Sequence, residues 1–168
     1  MLLTGTNTAR CAFRAQRKAF TIAIIKGIHF LFDNVSHLSY RTLEQISRFN
    51  DRKTNFPFDP AEVDVAVLSH THIDHCGNFP NLVKQGYAGN IFCTHAARDL
   101  AGIMLEDSAR IQESDAAYIS KKRAKRGEPP VEALYSVEDA SMAIRQFVSL
   151  NYDRPMRIAD GVTLTFVD

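Results

Sequence analysis

At 168 residues the chain is long enough to close one hydrophobic core and too short for two domains of ordinary size. Its 20 Lys and Arg nearly balance 19 Asp and Glu, so the net charge of +1 excludes a protein that grips nucleic acid by bulk charge alone. Apolar residues make up 45%, as in an ordinary globular domain, and no apolar run nears the ~20 residues of a membrane span, so no membrane partner is expected.

In residues 1–20, positions 4–8 are polar and turn-like, and Arg10-Cys11-Ala12-Phe13 can begin a strand. Arg10, Arg14, Arg17 and Lys18 are not followed by an apolar core with a small-residue cleavage site, so the pattern is not that of a signal peptide. Cys11, Cys76 and Cys93 are scattered and odd in number, which suits a reducing cytoplasm. Residues 20–25 and 28–33 predict paired strands around a turn at Lys26-Gly27. Leu43, Ile46 and Phe49 are spaced for a helix over 38–49, and Pro57 and Pro60 then break the chain. Residues 63–68 form a short apolar run, rich in β-branched side chains, that predicts a buried strand.

That strand stops at Ser69-His70-Thr71-His72-Ile73-Asp74-His75. Three of the chain's six His and an Asp fall within six residues, on the loop expected to leave a sheet edge. Unpaired titratable groups rarely crowd together without a counter-charge or a metal. Imidazole with carboxylate suits zinc first, then manganese or iron. His70 and His72, two apart, can grip one ion, and a tight turn can aim Asp74 and His75 at a second. Two ions about 3.5–4 Å apart clamp the attacking and leaving oxygens of a phosphodiester. Cys76 abuts the motif as either a ligand or a small apolar filler.

Beyond the motif, residues 78–85 predict a short helix ended by Gly86, and 91–93 a short strand. Thr94 can cap the next helix, where Ala97, Leu100, Ala101, Met104 and Leu105 make one apolar stripe for the core. His95 is either a support for a metal ligand or a surface residue. A separate helix is expected near 108–126. It ends in Lys121, Lys122, Arg123, Lys125 and Arg126, a run that can follow a phosphate backbone or simply cap a solvated helix end before Gly127. Ser136 and Asp139 resemble a capping box opening a third helix through Phe147, and 155–167 predict two strands across the turn Asp160-Gly161.

His-x-His-x-Asp-His after a hydrophobic strand resembles the metal motif of the metallo-β-lactamase superfamily. The flanks resemble its β-CASP branch of RNA-processing hydrolases: Phe56-Pro57-Phe58-Asp59-Pro60 before the motif, then Asn90-Ile91-Phe92-Cys93-Thr94, the stretch from Met104 to Ala116, and Gly127-Glu128-Pro129-Pro130 leading to Leu134-Tyr135. The resemblance implies an αββα sandwich, of which this chain is the N-terminal part. It also implies two zinc ions, His70 and His72 on one, Asp74 and His75 on the other, with Asp74 orienting a hydroxide that attacks an RNA phosphodiester. Asp33 resembles an Asp that supports the metal loop from behind.

Periodicity alone supports a mixed α and β fold, read as a single domain over residues 1–168. The family's later ligands, a Gly-His pair and a bridging Asp, and its β-CASP insertion have no counterpart here. The expectation is thus one truncated domain, impaired as an isolated chain, whose partners are RNA and either a complementary C-terminal chain or a second copy. Two rival readings stand beside it: a metallo-hydrolase of a non-nucleic-acid ester or amide, and a non-catalytic metal-binding or interaction fragment.

Overall fold

The alternation of side chains along residues 63–68 decides what packs where. In the computed structural model, which describes residues 2–5, 21–25, 28–32, 56 and 58–167, Val65 and Val67 face one core while Ala66 and Leu68 face another. The strand itself, β4 (Val65–Val67), lies in the middle of a five-stranded sheet. The sheet runs β2 (Thr21–Ile25), β3 (Ile28–Phe32), β4, β5 (Asn90–Thr94) and β6 (Phe147–Leu150). β2 and β3 are the expected antiparallel hairpin, and β3, β4, β5 and β6 are parallel neighbours. Parallel strands need long crossovers, and helices fill the two that follow β4.

Between β4 and β5 come α1 (Ile73–Cys76) and α2 (Phe79–Lys84); between β5 and β6 come α3 (His95–Ala124) and α4 (Val137–Arg145). All bury their apolar sides on the Ala66, Leu68, Ile91 and Cys93 face, with Phe79, Leu82, Leu105 and Tyr135 at the centre. The opposite face meets a second sheet of β1 (Leu2–Gly5), β8 (Val162–Thr165) and β7 (Met156–Ala159), in that order. Val65, Val67, Phe92 and Leu150 there pack on Val162, Leu164 and Phe166. Helices, sheet and sheet are three layers of the expected sandwich. Among the described residues no helix is long and apolar enough to cross a membrane.

Several expectations change. The two helices expected around 95–126 are one helix of 30 residues. Nothing breaks it: residues 103–126 contain neither Gly nor Pro. Ser108, where a new start was expected, accepts hydrogen bonds from the Tyr135 hydroxyl at 3.0 Å and Gln112 Nε2 at 3.2 Å, so its side chain does not compete with the helix backbone. The helix does begin at the expected cap, Thr94 Oγ1 accepting from the Ala97 amide at 3.2 Å. Its buried stripe is narrower and made of smaller residues than expected: Ala97, Ala101, Leu105, Ala109 and Ala116 are buried, whereas Leu100 is 49% exposed. Small side chains let the long helix lie close to β5 and β6.

The capping box is present, with Ser136 Oγ accepting from the Asp139 amide and Asp139 Oδ2 accepting from the Ser136 amide. That helix stops at Arg145 rather than running through Phe147. Phe147 instead starts β6, paired with Ile91 and set edge-on to Phe79 at 5.8 Å. Tertiary pairing wins there over local helical spacing. Gly161, with φ 66°, makes the expected turn between β7 and β8. The helix expected over 38–49, the strand expected at residues 10–13 and Asp33 lie outside the described residues.

Candidate metal centre

Leu68 carries the parallel ladder one step past β4, its amide donating to the Phe92 carbonyl at 2.8 Å. The chain then leaves the sheet, and the motif straddles the exit. His70 and His72 sit on the loop; Asp74 and His75 lie in the single turn of α1, not on the loop as expected. The turn forms because the amides of His75 and Cys76 both find the His72 carbonyl, at 2.8 and 3.0 Å. Gly77 closes it, its amide donating to the Ile73 carbonyl at 2.8 Å.

The four side chains gather as two adjoining pairs rather than one cage. His70 Nε2 lies 3.2 Å from His72 Nδ1. His75 Nε2 lies 3.7 Å from Asp74 Oδ2. The His70 ring joins the pairs, its centroid 4.7 Å from that of His72 and 4.1 Å from that of His75. Among the described residues no group of three or more His, Cys, Asp or Glu is gathered closely enough to hold an ion.

The donors fit a metal nonetheless, pair by pair. With metal–nitrogen bonds of about 2.0–2.1 Å, two ligands on a tetrahedral edge stand about 3.3–3.4 Å apart. The separation of His70 Nε2 and His72 Nδ1 is close to that edge. Asp74 and His75 stand slightly wider. Ser69, at the head of the motif, adds a partner that the spacing of the ligands does not reveal. Its Oγ lies 2.8 Å from His70 Nδ1. With the proton on Nδ1 donated to Ser69, the lone pair of His70 sits on Nε2, the atom that faces His72. A serine directly before the first His was the available signal.

Other expectations sort themselves. Cys76 is wholly buried among core residues, its Sγ 3.5 Å from the Thr71 carbonyl, which is the filler role and not ligation. Burial pushes the Cys93 thiol up to about 12, so it offers no thiolate. His95 is exposed at the start of α3. The basic run ends α3 as expected, with Lys125 at the C-cap and Gly127 turning at φ 68°. The structure splits that run: Arg123 pairs with Glu128 at 3.1 Å, while Lys121, Lys122, Lys125 and Arg126 are exposed.

A family model described as the metallo-beta-lactamase superfamily matches residues 20–151. The chain belongs to the metallo-beta-lactamase superfamily. Within it the chain falls in the β-CASP branch that its flanking sequence resembles. It is similar to the transcription termination factor FttA of Methanococcus maripaludis, 31% identical over 108 residues, which are 64% of this chain and 15% of that protein. Ribonuclease TTHA0252 of Thermus thermophilus is 43% identical over 58 residues, covering 34% of this chain and 14% of that protein. Endoribonuclease YSH1 of Gibberella zeae is 24% identical over 149 residues, 88% of this chain and 15% of that protein. The chain thus spans about 15% of the length of the curated relatives it matches. Proteins of this superfamily generally bind metal ions.

Proposed function

We propose that this chain supplies the first ligands of a zinc centre in an RNA phosphodiesterase. The observation that carries the reading is the pairing of His70 Nε2 with His72 Nδ1 at 3.2 Å, beside Asp74 and His75, where β4 leaves the sheet. The relatives named as ribonuclease and endoribonuclease support RNA as the substrate class.

His70 and His72 would hold one zinc, and Asp74 with His75 a second. Zinc bound there lowers the pKa of a coordinated water and offsets charge on the phosphoryl oxygens. The chain's own side chains set the scene for this. Ser69 fixes the His70 ring. Asp74, half exposed, can accept a proton or orient a water at its second oxygen. Cys76 and Ile73 pack the turn beneath.

Each pair gives two donors where a zinc site uses three or four protein ligands, so affinity in the isolated chain should be modest. Purified chain is expected to bind fewer than two zinc ions at micromolar metal, and to cleave single-stranded RNA poorly. Metal content after dialysis, with a chelator competition, measures this. His70→Ala and His72→Ala should each weaken zinc retention by at least the ~10–100-fold typical of lost support around a metal site. Zinc retention identical in both variants and the unaltered chain would overturn the reading. Two tightly held ions with RNA cleavage abolished by Asp74→Ala would instead show a complete centre with further ligands from this chain.

A further inference from the structure

The last turns of α3 carry a pattern that the metal centre does not use. Tyr118 is 60% exposed. Lys121, Lys122 and Lys125 follow it at three, four and seven residues, the spacing that sets side chains on one helix face. Lys122 Nζ lies 4.4 Å from the centroid of the Tyr118 ring, an ammonium held against an aromatic π-system. Arg123 falls on another side of the helix and is neutralised by Glu128. Asp115, exposed and three residues before Tyr118, bounds the cationic patch on its N-terminal side. Cations favour a helix C-terminus for its dipole alone. The dipole does not explain a large aromatic left mostly in water among them, since a Tyr ring is ordinarily worth burying.

We propose that Tyr118, Lys121, Lys122 and Lys125 form a stacking platform for single-stranded RNA. A base takes the place of the Lys122 ammonium on the Tyr118 ring, and the released Lys122 meets the flanking phosphates together with Lys121 and Lys125. Every base has a π-face, so such a platform is tolerant of sequence. It needs an unpaired strand, because the bases of a duplex are already stacked on one another. Acidic Asp115 and Glu128 at the borders suit discrete phosphates better than a continuous anionic bilayer, which recruits unbroken basic clusters. The proposal rests on the RNA reading above and gives it a binding surface outside the metal motif.

The test is fluorescence anisotropy of the full chain with a single-stranded RNA of about 12 nucleotides, across a salt series. Tyr118→Ala should weaken binding by about five- to a hundredfold with the salt slope unchanged, and Tyr118→Phe should bind as the unaltered chain does. Lys121→Ala, Lys122→Ala and Lys125→Ala combined should weaken binding and flatten the slope by about 0.7 log units per lost contact, roughly 2 in all. Arg123→Ala should leave the slope alone. All these side chains except Arg123 are exposed, and circular dichroism checks that each variant folds.

RNA binding indifferent to Tyr118→Ala and to the triple lysine change overturns the platform and leaves the RNA reading standing. Equal losses in Tyr118→Phe and Tyr118→Ala overturn stacking. No binding of the RNA by the unaltered chain, with or without zinc, overturns both. Lysine-dependent binding of phosphatidylserine vesicles in place of RNA assigns the patch to a membrane and overturns it as well.

Discussion

Among the described residues, the strand end at Ser69 and the helix end at Lys125 are two chemically loaded places, and they are built in opposite ways. At the strand end the backbone is held by neighbouring parallel strands and a hydrogen-bonded turn, and the side chains crowd one another at 3.2 to 3.7 Å. At the helix end the groups are set mainly by helical spacing, with one ion pair at Arg123 and one ring contact at Lys122, and Lys121, Lys122, Lys125 and Arg126 stand in solvent. The difference fits the chemistry proposed for each. Metal ligation fails when a donor moves by a fraction of an ångström, so it needs a rigid support. Contact with a phosphate chain needs only charge within reach, so flexible lysines on a helix suffice.

If that contrast is right, the largest effect should come from weakening the support behind the metal loop. Leu68 is fully buried directly before the motif, between the sheet and the helices. Leu68→Ala should cost about 2–5 kcal/mol of stability by leaving a cavity. Zinc retention should fall with it although no ligand is touched. Lys125→Ala, at the other place, should stay within about 0.5 kcal/mol. Thermal unfolding of both variants beside their metal content measures the contrast. A Leu68→Ala variant that melts and holds zinc like the unaltered chain would break it.

A smaller, sharper change acts on the turn itself. A Cβ at Gly77 would stand 2.4 Å from the Ile73 carbonyl oxygen and 3.2 Å from the Ile73 side chain. The backbone of α1 must give way, and α1 carries Asp74 and His75. Gly77→Ala should cost about 1–3 kcal/mol, as overpacking does elsewhere. The loss of zinc should be confined to the Asp74–His75 half of the centre. His70 and His72 precede the turn, so a chain that retains its first ion but not a second is the expected result, read by metal titration. Unchanged titration would mean that the turn does not set the positions of Asp74 and His75.

Much of this was legible in the sequence, for identifiable reasons. The motif strand showed itself because a strand buried on both faces is continuously apolar, and residues 63–68 are so except for Asp64, which is exposed. Gly86, Thr94, Ser136 and the Asp160-Gly161 turn announced element ends because their local chemistry acts whatever surrounds them. What stayed hidden was decided at a distance. Phe147 has helical neighbours on its N-terminal side, and its pairing with Ile91, 56 positions earlier, is not written locally. Ser108 was ambiguous until Tyr135 arrived to occupy it. The split of the basic run was equally invisible, because Glu128 captures Arg123 only once the chain has turned at Gly127. The ligand set was legible as residue types, while its division into two pairs depended on the turn at α1.

The smallest expected effect lies at the helix end and tests how graded that surface is. Glu128 Oε2 sits 3.1 Å from Arg123 Nε, with both side chains partly in water, so the pair is worth about 0–1 kcal/mol. Glu128→Gln removes one negative charge from the border of the cationic patch and releases the guanidinium. Stability should barely move. Affinity for single-stranded RNA should rise, with the salt slope steeper by at most about 0.7 log units, the share of one additional phosphate contact. At the proposed metal loop a single carboxylate behaves differently: Asp74→Asn removes the negative charge from one donor of a pair of two. A helix surface adds and subtracts charges one at a time, whereas a coordination site loses function stepwise. RNA affinity that falls in Glu128→Gln would show that Glu128 holds the turn at Gly127 in place, and would make the helix end a shaped site like the loop instead of a charged face.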